Sequence, residues 1–241
     1  MEKILIYGGS GAVGSSLARK LTESGVPVHL AGRNEEALAA LGKELGVGWT
    51  PGDVREAAFH KEVAKDAGKI LGGLVYAVGN INLKSLRRLE PEDYLNDFRL
   101  NALGAALAVK ENLAALKGQT EGSSIVLISS IAARKGFPMH ASLSMSKAAV
   151  EGLVVALGAE LAPGIRVNGI APSLLEESPL SFPLMSGEEQ LQAMRNLHPL
   201  KRLGTPKDIA ALAEFLLSPQ ARWITGQILG VDGGRSTLVA P

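Results

Sequence analysis

The chain has 241 residues, 46% of them apolar, with 28 glycines, no cysteine, and 25 Lys and Arg against 24 Asp and Glu. Without cysteine there is no disulfide, thiolate nucleophile or Cys-ligated zinc, and His29, His60, His140 and His198 are too scattered for a His-rich metal site. A net charge of +1, with basic residues never running beyond adjacent pairs such as Arg87-Arg88 and Lys201-Arg202, predicts no nucleic-acid or anionic-membrane partner.

The apolar run after Met1-Glu2-Lys3 is too short for a signal sequence, and no run of 18 apolar residues follows, so a cytoplasmic protein is expected. The length suits one α/β domain over residues 1–241. Ile4–Tyr7 reads as a first buried strand, and Val13, Leu17 and Leu21 as one helical stripe that Gly25 ends. Val26–Ala31 is the second strand. Asn34 suits the cap of a helix carrying Leu38, Leu41 and Leu45, and Val47–Thr50 is a short third strand. Ile70–Val78 reads as the fourth strand. A long helix is predicted from Pro91 past Asn101 to about Leu116. Ser124–Ser129 is a fifth strand, Ser146–Leu161 a helix, Ile165–Ile170 a sixth strand, Asp208–Leu217 a helix and Gln227–Val231 a last strand. Strands alternating with helices predict a Rossmann-like, doubly wound parallel sheet of about seven strands with helices on both faces. About Ser173–Thr205, rich in Pro, Ser and Leu, is irregular and reads as a substrate loop.

The first strand runs into Gly8-Gly9-Ser10-Gly11-Ala12-Val13-Gly14, a glycine turn that lets backbone approach a pyrophosphate and aims helix N-terminal amides at it. Alternatively, it is a tight βα turn with no ligand. After the second strand, Arg33-Asn34 stands where an acid would accept the ribose hydroxyls of NAD. A guanidinium there suits the 2′-phosphate of NADP, unless Arg33 is simply a solvated strand end.

Further landmarks follow in order: Asp53-Val54, Tyr76-Ala77-Val78-Gly79, Asn101, Ser129-Ser130, Ser146-Lys147-Ala148-Ala149, Arg166 to Pro172, Gly226-Gln227, and Val231-Asp232-Gly233-Gly234. Together they resemble the short-chain dehydrogenase/reductase family over essentially the whole chain. The resemblance implies an oxidoreductase in which Gly8, Ser10, Gly11, Ala12, Val13, Arg33, Asn34, Asp53, Val54, Ala77, Val78 and Gly79 bind NADP(H) in preference to NAD(H). It further implies that Ser130 holds the substrate oxygen, Lys147 binds the nicotinamide ribose and lends positive charge, Asn101 holds a relay water, and Pro172 and Leu175 meet the nicotinamide end. Asn101 alternatively bonds back along its own helix. A homo-oligomer, tetramer or dimer, is implied through the long helices, Gln227–Val231 and the tail Leu238-Val239-Ala240-Pro241.

One departure bears on the chemistry. The family's catalytic tyrosine lies four residues before the lysine, on the same helix face, and here that position is Leu143. Tyr7, Tyr76 and Tyr94 are expected away from the site. His140 lies seven residues before Lys147, where enoyl reductases of the superfamily place their tyrosine. Imidazole titrates near neutrality, so His140 is a candidate acid, or else a loop histidine. Ser144 is a weaker donor that reads as helix surface. Two functions remain open: NADP(H)-dependent carbonyl/alcohol hydride transfer, or NADP(H) binding with weak or no turnover. Leu174, Leu175, Leu180, Phe182, Leu184 and Met185 hint at an apolar or partly apolar small-molecule substrate.

Overall fold

The computed structural model describes residues 2–181 and 187–239. Its strands are β1 (Ile4–Tyr7), β2 (Val28–Gly32), β3 (Gly48–Pro51), β4 (Gly73–Tyr76), β5 (Ser123–Ile128), β6 (Ile165–Pro172) and β7 (Ile228–Val231). Its helices are α1 (Ala12–Glu23), α2 (Glu35–Leu45), α3 (Ala57–Ala67), α4 (Pro91–Phe98), α5 (Gly104–Lys117), α6 (Ala141–Leu161), α7 (Glu188–Asn196) and α8 (Pro206–Leu217). The strands form one parallel sheet in the order β3-β2-β1-β4-β5-β6-β7, the expected Rossmann-like arrangement. The winding reverses between β1 and β4, and a crevice opens there at the carboxyl ends of the strands.

Side-chain alternation along the strands builds the two layers. Ile4, Ile6, Val75 and Val126 face Leu17 and Leu21 of α1, Leu38 of α2 and Ile209 and Leu216 of α8. Leu5, Tyr7, Leu74, Tyr76, Ile125 and Leu127 face Val63 of α3, Val109 of α5, and Val150 and Val154 of α6. Burial of each such Leu, Ile or Val contributes about 1.5–3 kcal/mol as an upper bound.

Several boundaries differ from the sequence reading for local reasons. β2 begins at Val28 because Pro27 has no N–H, its carbonyl accepting instead from Ile4 N at 2.9 Å. β4 is limited to Gly73–Tyr76, since Ile70 is 48% exposed and the backbone N–H of Leu71 is drawn to Ala115 O. α3 was not anticipated, though Phe59, Val63 and Ala67 recur every four residues along it. The helix expected from Pro91 to Leu116 is broken by a π-helical turn, Arg99–Leu103, centred on Asn101. α6 starts five residues earlier than Ser146, at Ala141, with no side-chain cap. The stretch read as irregular contains α7, which buries no residue, and its two ends meet where Leu175 bridges to Gly204. Phe182, Leu184 and Met185 of that stretch, and Ala240 and Pro241 of the tail, lie outside the described residues.

Among the described residues, α6 is the one helix long and apolar enough by composition to cross a membrane. Here it is a core helix, packed on the sheet with Lys147 and Glu151 buried.

Candidate active site

The β1–α1 turn folds tightly because its glycines permit it. Gly8 has φ +77°, and a Cβ there would lie 2.7 Å from Ala77 O. A Cβ on Gly14 would strike the Gly8 carbonyl, so α1 leaves the sheet in close contact with the turn. No side chain caps α1 at Gly11, and its first-turn amides are left for a ligand or water. That combination of bare backbone and uncapped helix dipole fits a dinucleotide pyrophosphate. Gly8, Ser10, Gly11 and Ala12 form the turn, and Val13 beside them lines a cavity at the carboxyl ends of the strands.

At the far end of this site, Arg33 is exposed just after β2. Asn34 is occupied: its side chain accepts from Ala37 N at 3.0 Å and caps α2. Asp53 is bound by Arg55, whose Nε and Nη2 donate to its two oxygens at 3.0 and 2.5 Å. These bonds, with a smaller contribution from Arg33, hold its carboxyl below the usual range. Val54 beside it is buried. The sequence reading missed Arg55, a second guanidinium at the edge where Arg33 lies.

The cavity, about 280 Å³, runs from Val13 past Ala77, Val78 and Gly79 to Ser130, His140, Leu143 and Lys147, and is closed by Pro172 to Leu175. Of the expected residues, Asn101 stands just behind this wall, while Gly8, Ser10, Gly11, Ala12, Arg33, Asn34, Asp53 and Val54 lie outside it. No tyrosine lines it. Tyr7 is buried in the core between His60 and Asn112, Tyr76 donates to Leu100 O at 2.7 Å, and Tyr94 sits on α4.

Lys147 is buried, and its Nζ donates to Ile128 O at 2.9 Å, at the end of β5. Burial lowers its pKa to about 8, against a smaller opposing pull from Asp97. Asn101 Nδ2 donates to Asp97 O four residues back, at 2.8 Å, and to Asn80 Oδ1 at 3.0 Å. The back-bond along its own helix is thus present, while its Oδ1 stays buried and unpartnered. A Cβ on Gly79 would fall 3.2 Å from Lys147 Nζ and 3.3 Å from Asn101 Oδ1, so glycine lets the backbone after β4 pass close to both groups. Behind them Asp97 is buried, with Oδ1 accepting from Asn80 Nδ2 at 2.5 Å and Oδ2 unpartnered. Helical spacing from Asn101 was the available signal for Asp97.

Ser129 and Ser130 divide their roles. Ser129 donates to Glu151, which also accepts from Arg134 Nε at 2.5 Å. Ser130 Oγ accepts from Ala132 N at 3.1 Å, keeping its own proton for the cavity. Leu143 is 4% exposed and fills cavity wall. His140 stands at the N-terminal boundary of α6. Its Nδ1 donates to Pro138 O at 2.7 Å, a carbonyl that can only accept, and its Nε2 is left without a bond among the described residues. Ser144 is outside this cavity, on the adjoining shallow surface.

Two groups escaped the sequence reading altogether. Ser173 on the cavity wall donates to His198 Nε2 at 2.8 Å, while His198 Nδ1 donates to Met194 O at 2.8 Å. Arg235 enters the cavity just past Gly233-Gly234, its guanidinium 5.1 Å from the centroid of the Phe137 ring.

A family model described as Enoyl-(Acyl carrier protein) reductase matches residues 9–236. Dehydrogenase/reductase SDR family member 4 from Homo sapiens is 32% identical over 240 residues, covering 95% of this chain and 86% of that protein. The structure of actinorhodin polyketide ketoreductase with NADPH is 28% identical with a TM-score of 0.92, covering 98% of each chain. That of a gluconate 5-dehydrogenase from Burkholderia cenocepacia with NADP and tartrate is 26% identical at 0.92, covering 99% of this chain and 96% of the other. The chain belongs to the short-chain dehydrogenase/reductase family, whose members among these relatives are oxidoreductases.

The depressed pKa of Lys147 has a thermodynamic signature. Between pH 8 and the unfolded-state value near 10.4 the unfolded chain holds a proton that the fold does not, so stability rises with pH there. Urea unfolding of wild type against Lys147→Met at pH 7 and at pH 10 should show the wild type gaining on the order of 3 kcal/mol relative to the variant. Parallel curves for the two proteins would mean that the ammonium is solvated.

Proposed function

We propose that the protein is an NADP(H)-dependent oxidoreductase acting between a carbonyl and an alcohol, slowed by the leucine at position 143. The observation that carries this reading is the convergence of Ser130, Lys147, His140 and Leu143 on one cavity continuous with the β1–α1 turn. Gly8, Ser10, Gly11, Ala12 and Val13 would hold the pyrophosphate. Val54 and Ala77 to Gly79 would line the adenosine side, and Pro172 and Leu175 the nicotinamide end. The dinucleotide, when bound, supplies or accepts the hydride. Ser130 Oγ donates to the substrate oxygen, and the Lys147 ammonium stabilises negative charge that grows there. The proton reaches that oxygen from His140 or from a water held at Asn101 Oδ1. Leu143 supplies neither proton nor hydrogen bond, and lack of a positioned acid costs typically ~10²–10⁴-fold in rate.

Preference for NADP(H) over NAD(H) is supported by Arg33 and by Arg55 near it, with Asp53 neutralised by its own ion pair. By calorimetry, Arg33→Ala should weaken NADPH binding about tenfold and leave NADH nearly unchanged. Equal losses for both would remove the preference.

A second reading, dinucleotide binding with weak or no turnover, is favoured by the burial of Leu143 at the position where a phenol would act. Steady-state rates with NADPH and a carbonyl panel separate the two. If Leu143 alone limits the rate, Leu143→Tyr should raise it by orders of magnitude. If His140 is the acid, His140→Ala should abolish turnover and Leu143→Tyr should gain little. Full wild-type activity untouched by either change would refute both.

The proposal includes a homo-oligomer. Exposed Leu95, Phe98 and Leu103 along the α4–α5 helix and Met145 and Val155 on α6 supply apolar surface on the long helices. Sedimentation at micromolar concentration should give a dimer or tetramer, and a monomer would remove this part.

A further inference from the structure

We infer that Arg235 is a substrate anchor and that the substrate is an oxo acid, or the corresponding hydroxy acid, whose carboxylate pairs with this guanidinium. The inference rests on the reading of the cavity as a hydride-transfer site and adds the substrate class to it.

Arg235 lines the cavity with Ser130, His140, Leu143 and Lys147. Its guanidinium rests on the Phe137 ring, and the same ring packs against His140 at a centroid distance of 5.4 Å. Phe137 thus holds the arginine and the imidazole on a single wall. Lys135 Nζ donates to the Arg235 carbonyl, and the Arg235 N–H donates to Asp232 O, so the backbone that carries the side chain is held at two points.

The guanidinium itself makes no hydrogen bond and no ion pair among the described residues. The nearest acid is Asp232, and its carboxylate is engaged elsewhere: Oδ1 accepts from Gly234 N at 2.9 Å, and Oδ2 from Ser236 N at 2.9 Å and from Ser236 Oγ. Burial lowers the Arg235 pKa, with Asp232 pulling weakly the other way, and arginine stays charged throughout. A half-buried, permanently charged fork whose five donors meet no acceptor among the described residues is open to an anion. A carboxylate fits that fork in two parallel bonds.

The rest of the cavity sets the body of the ligand. Ile81, Ile131, Leu174 and Leu180 are apolar, so an alkyl chain suits the space between the acid and the carbonyl held at Ser130. The same cavity of about 280 Å³ would also take the nicotinamide at Pro172 and Leu175, so a short chain suits the share left at Arg235. The apolar segment expected from the sequence and the charged terminus are compatible in one molecule.

Calorimetry on the full chain tests this, with and without NADPH, using 4-oxopentanoate and its methyl ester as a matched pair. The acid should bind about ten- to a hundredfold tighter than the ester. Arg235→Ala should erase that difference while leaving the ester and NADPH affinities unchanged, and Arg235→Lys should retain part of it. Equal binding of acid and ester by wild type, or an acid preference surviving in Arg235→Ala, overturns the proposal. So does weakened NADPH binding by Arg235→Ala, which would assign the guanidinium to the dinucleotide, or tighter binding of 3-oxobutylphosphonate than of the acid, which would assign it to a phosphoryl group. Failure of NADPH to bind at all would count against the dinucleotide reading alone, because the acid and ester titrations without cofactor still decide the role of Arg235.

Discussion

A charged ammonium buried at the carboxyl end of β5 organises the centre of this molecule. Lys147 is buried at the cavity wall, so fixed dipoles answer much of its charge, and the Ile128 carbonyl does so at 2.9 Å. That bond ties α6 to the sheet at the edge where the cavity opens. On the other side Asp97, itself buried, pulls toward the charged form, and Asn80 and Asn101 hold Asp97 and its helix in place. The π-helical turn at Asn101 belongs to the same balance. It carries Asn101, whose Nδ2 donates to Asp97 O while its Oδ1 stays buried and unpartnered.

The glycine turn after β1 imposes the second constraint. Gly8 and Gly14 are pressed against neighbouring backbone so closely that neither admits a side chain, and no side-chain bond at Gly11 caps α1 among the described residues. Stability alone slightly disfavours this helix start, which a Ser or Asp at Gly11 would improve by roughly a few tenths of a kcal/mol. A site for phosphate gives the vacancy a use. The two ends of the crevice then differ in character: two guanidiniums with one paired acid at the Asp53 end, and a buried cation among apolar walls at the Lys147 end.

How much of this was legible in the sequence depended on whether the interaction was local. β1 was read to the residue and β5 to within one, because short apolar runs bounded by glycine or serine have few other structures open to them. β4 was read too long, since Ile70 continues the apolar run without entering the sheet. α7 was missed because it buries nothing and so has no stripe to find. The early start of α6 was missed because it has no capping side chain, although Leu143 and Ser146 are both buried on it. Ser130, Lys147 and Asn101 were legible through spacing along a familiar order. Asp97 carried a usable signal at helical spacing. Arg235 on Phe137 and Ser173 with His198 carried none, because each pair is assembled by the fold from segments far apart in the chain.

The two unusual side chains in the cavity bear on each other. At position 143 a buried hydrocarbon lines the cavity and can offer no hydrogen bond to an oxygen placed at Ser130. A ligand held only by Ser130 and the Lys147 field would be poorly oriented, and misorientation is costly in a hydride transfer, where approach distance decides the rate. A second attachment at Arg235 fixes the other end of a short ligand and restores that orientation from a distance. The binding energy of a nonreacting carboxylate is then available to position the reacting carbon. On this view the leucine and the arginine form one arrangement, in which precision lost beside the reacting oxygen is recovered at the far end of the substrate. A neutral ketone of the same length lacks that second attachment and would suffer the full consequence of the missing phenol.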